Sequence, residues 1–104
     1  MWFCSKKKRD KMAWATLVYG KPPKNIENES EERLSSFTTI MLMQHHRIIV
    51  DSVKIVLATK NSETRKSRTD LSLYHYQEMV KFRPFCNKEQ LDILCQAESL
   101  ITKL

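Results

Sequence analysis

The chain has 104 residues, 41% apolar and 29% charged, which suits one small globular domain and excludes a low-complexity or fibrous chain. Its 18 Lys+Arg outnumber its 12 Asp+Glu, and the whole excess of +6 falls in Met1–Lys24, where seven basic residues meet one acid. Asn25–Leu104 balances eleven basic against eleven acidic residues. A single glycine leaves few positions for tight primed hairpins. Three cysteines without a secretory signal argue against a disulfide scaffold and for a reducing compartment. No uncharged apolar run approaches the roughly 20 residues that a membrane-spanning helix needs.

The chain opens with Trp2-Phe3-Cys4, followed at once by Lys6, Lys7, Lys8, Arg9 and Lys11. Met1–Lys11 reads as disordered or conditionally ordered. Ala13–Tyr19 is a short apolar run that Gly20-Lys21-Pro22-Pro23 stops, so residues 1–24 form an arm and linker and residues 25–104 a body. In the body, Asn28 with Glu31 has helix-cap spacing. Leu34, Phe37, Met41, Ile48 and Ile55 then recur at helical steps, with a second stripe through Ile49, Val53 and Val56. The β-branched run Arg47–Leu57 leaves a short hairpin around 39–57 as the alternative, with a break near His45-His46. The missing Gly at that turn favours helix.

Lys60–Arg68 has no apolar residue and reads as a surface loop. A helix over Leu71–Phe82, capped by Thr69 or Asp70, would use Leu73, Tyr76 and Val80, with Leu71 and Tyr74, before Pro84 ends it. Asn87 and Gln90 have capping-box spacing ahead of a last helix through Leu91, Leu94, Cys95, Ile101 and Leu104, with Cys95 expected in the core. The expected fold is mainly α, a small three- to four-helix body carrying a disordered basic arm, or, in the alternative, α+β with that hairpin.

The arm carries the functional signal. Lys6, Lys7, Lys8, Arg9 and Lys11 suit an anionic membrane surface, Trp2 and Phe3 its interface, and Cys4 acylation. The same residues suit nucleic acid, with Trp2, Phe3 or Trp14 stacking on bases. Lys6–Arg9 also fits a minimal nuclear-import signal, and Leu34–Leu42 the loose spacing of an export signal, which together would make a shuttling accessory protein. Ser67, in Arg65-Lys66-Ser67-Arg68-Thr69, is a candidate phosphorylation site.

Neither metal nor enzyme chemistry has a motif. His45, His46, His75, Cys86 and Cys95 lack zinc spacing, no phosphate-cradling glycine loop is present, and only a Cys86–His75 nucleophile pair stands as a catalytic arrangement. No cofactor is implied. The expectation is a non-enzymatic adaptor or matrix-like protein, cytoplasmic and membrane-associated, or nuclear in the alternative. The body carries more apolar stripe than roughly 80 residues can bury, so a protein partner or a homodimer would cover the remainder. Its plan of an aromatic and basic start before a helical body resembles viral matrix and accessory proteins in organisation alone.

Overall fold

The computed structural model describes residues 6–21 and 28–104, with side chains of the first helix from Asp10 onward. Among these residues there are four α-helices, α1 (Lys6–Tyr19), α2 (Glu31–Ala58), α3 (Ser62–Val80) and α4 (Lys88–Ile101), a 3₁₀ turn at Arg83–Phe85, and no strand. The mainly helical fold expected from the sequence is the one observed.

α2 is the central element, and it runs unbroken through His45-His46 and the β-branched segment, so the hairpin alternative is not taken. Its core face is Thr38, Leu42, Ile49, Ser52, Val53 and Val56. That spacing of three and four places all six on one side of the helix. Burying Ile49 and Val53 gives more than the few tenths of a kcal/mol per residue by which β-branched side chains disfavour helix. The second predicted stripe is therefore in the core. The first is not: Phe37 and Ile48 are exposed and Leu34, Met41 and Ile55 half-buried.

The start of α2 lies two residues beyond the expected cap. Ser30 is the N-cap, its hydroxyl accepting from the Arg33 N–H at 3.0 Å, and Glu31 and Glu32 fill the first turn. At the other end Thr59 leaves the helix in an extended conformation, and Asn61 already caps α3 by accepting from the Thr64 N–H at 2.9 Å. A three-residue connection makes α2 and α3 antiparallel neighbours. Lys60–Arg68 is thus mostly helix rather than loop. Glu63, Arg65, Lys66 and Arg68 are good helix formers on a solvated turn, and the absence of apolar residues there signals exposure, not irregular backbone.

α3 buries Ser72 and Met79, whereas Leu73 and Tyr74 of its expected face are exposed. Pro84 lies in the 3₁₀ turn and Asn87 opens α4 with a complete capping box. The Asn87 side chain accepts from the Gln90 N–H, and the Gln90 Oε1 accepts from the Asn87 N–H, both at 2.8 Å. α4 buries Gln90, Leu94 and Ala97, while Cys95 is exposed, a correction to its expected place in the core.

Between α2 and α3 two imidazoles meet, His45 Nδ1 and His75 Nδ1 at 2.8 Å, one donating and the other accepting. Burial, and then the neighbouring His75, hold His45 below its ordinary value near 6.5, with Glu78 opposing. A group whose folded pKa is depressed contributes stability that is present above the unfolded value and is lost as pH falls toward the folded one. The urea midpoint is therefore expected to be lower at pH 5.5 than at pH 7.5. Few carboxylates titrate in that window. His45→Gln should narrow the difference, and an unchanged difference in that variant would assign it to other groups.

Candidate functional site

The candidate site is the basic start of α1 and the surface on which that helix sits. α1 continues back through the basic residues to Lys6, so Lys6–Lys11 are helical where the sequence suggested disorder. The cause lies in the second half of the helix. Trp14 and Ala15 are 3% and 0% exposed, in one core with Leu42, Ile49, Val53, Met79, Phe82, Leu94 and Ala97. The Trp14 indole N–H donates to Thr38 Oγ1 at 2.7 Å, and that hydroxyl donates on to the Leu34 carbonyl at 2.9 Å. Phe37 and Tyr19 meet the indole edge-on, with centroids 5.6 and 6.0 Å away. Gly20 then ends α1 at φ +82°, its N–H donating to the Thr16 carbonyl. That left-handed conformation is one a side chain would strain.

Trp14 is consequently a core residue, and the expectation that it could stack on a base is corrected. Trp2, Phe3 and Cys4 lie outside the described residues. Lys6, Lys7, Lys8 and Arg9 occupy the first turns of α1, ahead of the Trp14 anchor. Lys11 Nζ donates to the Glu29 carbonyl at 2.6 Å, tying α1 to the approach of α2.

A cleft of about 290 Å³ lies where α1, the start of α2 and the 3₁₀ turn converge, with Asp10, Lys11 and Glu31 at its polar side and Trp14, Phe85 and Cys86 among its other walls. The Cys86 thiol donates to the Phe82 carbonyl at 3.1 Å. Burial pushes that thiol above its ordinary value, against the opposing effect of Arg83, so at neutral pH it stays protonated and a poor nucleophile. His75 meets His45 and Tyr74, and the structure does not join it to Cys86 as a catalytic pair. Among the described residues no three His, Cys, Asp or Glu side chains are grouped to hold a metal ion.

Comparison with known families, curated proteins and solved structures found no match.

The other sequence candidates fall in different places. Ser67 is exposed, but on the continuous helix α3 rather than in a loop. Of the export-type spacing, Leu42 is fully buried, Leu34 and Met41 are half-buried, and Phe37 and Ile40 are exposed, so the fold does not present it as one surface. Lys60 lies in the α2–α3 connection, and Arg65, Lys66 and Arg68 in the first two turns of α3, at the far end of α2. Thr38, which holds Trp14, is twenty residues from Ala58, about 30 Å of helix. They therefore do not converge with the start of α1 into one basic face. The histidine pair was not legible in the sequence, because nothing local joins residues thirty apart.

No described helix is long and apolar enough to cross a membrane. The 28 residues of α2 meet the length, but Glu31, Glu32, Arg33, Arg47, Asp51 and Lys54 punctuate them.

Proposed function

We propose that this protein is a non-enzymatic adaptor, held at anionic membrane surfaces by its basic N-terminal segment and offering its helical body to a protein partner. The observation that carries this reading is the confinement of the whole net charge to Met1–Lys24, on a segment whose helix is pinned to the body by Trp14. Near an anionic leaflet each Lys or Arg is worth about 1 kcal/mol, so Lys6, Lys7, Lys8 and Arg9 together would supply up to about 4 kcal/mol. Trp2 and Phe3 would add interfacial burial, and acylation of Cys4 would convert a reversible contact into a durable one. The distance of the second basic cluster from this segment favours a membrane over nucleic acid, because a nucleic-acid binder of this size spreads its cations along one continuous face.

Vesicle co-sedimentation tests the reading. The full chain is compared with a variant carrying Gln at residues 6–9, a replacement that keeps helix propensity and removes four charges. Binding to vesicles containing phosphatidylserine is expected to fall at least 100-fold in the variant, to weaken with salt, and to be absent on neutral vesicles. Equal binding by both proteins would overturn the proposal. Strong competition by a short RNA, with a steep salt dependence, would move the arm to the nucleic-acid class.

A further inference from the structure

α2 carries a further stripe, apolar at four of its six positions, that the described residues leave largely exposed. Opposite its core face, positions 40, 43, 47, 50, 54 and 57 repeat at alternating steps of three and four, holding Ile40, Met43, Arg47, Val50, Lys54 and Leu57. Ile40, Met43 and Leu57 are 53%, 57% and 61% exposed, and a shallow depression lies among the side chains from Ile40 to Val50. α3 and α4 pack on the other side of the helix, where His45 meets His75 of α3, Ser35 and Thr39 meet Gln90 of α4, and Leu42, Ile49 and Val53 share one core with Met79 and Leu94. Steps of three and four in alternation are the spacing along which two helices pack side by side.

We infer that this stripe pairs with the same stripe of a second copy, the two α2 helices running antiparallel about a two-fold axis between Arg47 and Val50. The charges decide the orientation. Parallel pairing in register would stack Arg47 on Arg47 and Lys54 on Lys54. Antiparallel pairing sets Ile40 against Leu57 of the second copy, Met43 against its Lys54, and Arg47 against its Val50, so every cation on the seam meets an apolar side chain along which its stem can lie.

Asp51 flanks the seam one residue beyond Val50, within reach of Arg47 of the second copy. Arg47, Asp51 and Lys54 form no ion pair among the described residues, which leaves them for contacts across the axis. The seam from Ile40 to Leu57 is about 25 Å long, a small contact, so the dimer is expected to be reversible and concentration-dependent rather than obligate. This supplies the partner in the adaptor reading. It is tested in solution without lipid, so its failure and that of membrane attachment are separable.

Sedimentation equilibrium of the full chain, from about 1 to about 200 µM, reads the association expected of a small interface. A monomer–dimer equilibrium is expected, and a monomer throughout would overturn the inference. Ile40→Lys and Leu57→Glu each change an exposed residue, so helix content by circular dichroism should be kept. Each is expected to raise the dissociation constant at least ten-fold, and a dimer indifferent to both would place the interface elsewhere. The double variant decides the direction. In the antiparallel pair each new Lys faces a new Glu of the other copy and association returns. If the double variant stays as weak as the single ones, the antiparallel register is wrong.

Discussion

Trp14→Ala is expected to release α1 from the body. Truncating a buried Trp costs about 3–5 kcal/mol, and here it also deletes the indole N–H bond to Thr38 and the edge contact with Phe37. The loss should be local rather than global, because α2, α3 and α4 keep Leu42, Ile49, Val53, Met79 and Leu94 in contact without α1. Amide exchange should therefore become rapid across Lys6–Tyr19 while protection in α2 and α4 changes little. Trp14→Phe, which keeps the packed ring but not the N–H, should cost about 1–2 kcal/mol. Undiminished protection of α1 amides in Trp14→Ala would show that the helix is held by something other than the indole.

The second large effect is expected at Gln90, which is 1% exposed. Its Oε1 closes the α4 capping box, and its Nε2 lies 2.8 Å from the Ser35 carbonyl, 3.1 Å from Ser35 Oγ and 2.9 Å from Thr39 Oγ1. One amide thus caps its own helix and fastens it to α2. Gln90→Leu fits the space but leaves the Asn87 N–H and the Ser35 Oγ–Thr39 cluster short of a partner, and each such loss costs about 1–3 kcal/mol. The expected destabilisation is about 2–4 kcal/mol in urea denaturation. Gln90→Glu would keep the cap acceptor but turn a second acceptor toward Ser35 and Thr39, so it should rescue little. A shift below about 0.5 kcal/mol in Gln90→Leu would mean that the network contributes nothing net.

The cap half of Gln90 was legible in the sequence, because Asn and Gln three apart announce a helix start. Its tertiary half was not, since no local pattern tells which carbonyl an amide will meet 55 residues away. The same division runs through the fold. Three helical segments, the ones that became α2, α3 and α4, could be read from spacing and caps, whereas α1 could not, and the faces they bury were only partly assigned. α2 is apolar on more than one side, so hydrophobicity alone did not choose between the Leu34–Ile55 stripe and the one through Thr38, Leu42 and Ile49. On α2, Thr38 helps tip that choice: it is fully buried because its hydroxyl donates to the Leu34 carbonyl four residues back and accepts from the Trp14 indole, as Ser72 of α3 is buried by donating to the Arg68 carbonyl.

The candidate site divided likewise. Its charge was plain from composition, whereas the helical state of Lys6–Lys11 depends on an indole several residues downstream finding a slot against α2.

The three-residue link between α2 and α3 has a kinetic consequence. Closing so short a loop costs little chain entropy, and the β-branched half of α2 is a poor helix until α3 covers it. The two helices therefore gain by forming together as a hairpin, which provides the surface that α4 and the Trp14 end of α1 later dock upon. In such an order of assembly contacts are made between near neighbours first, which keeps the barrier low and the search short. The basic segment, whose hold on the body is the Trp14 indole, can settle only once that hairpin surface exists.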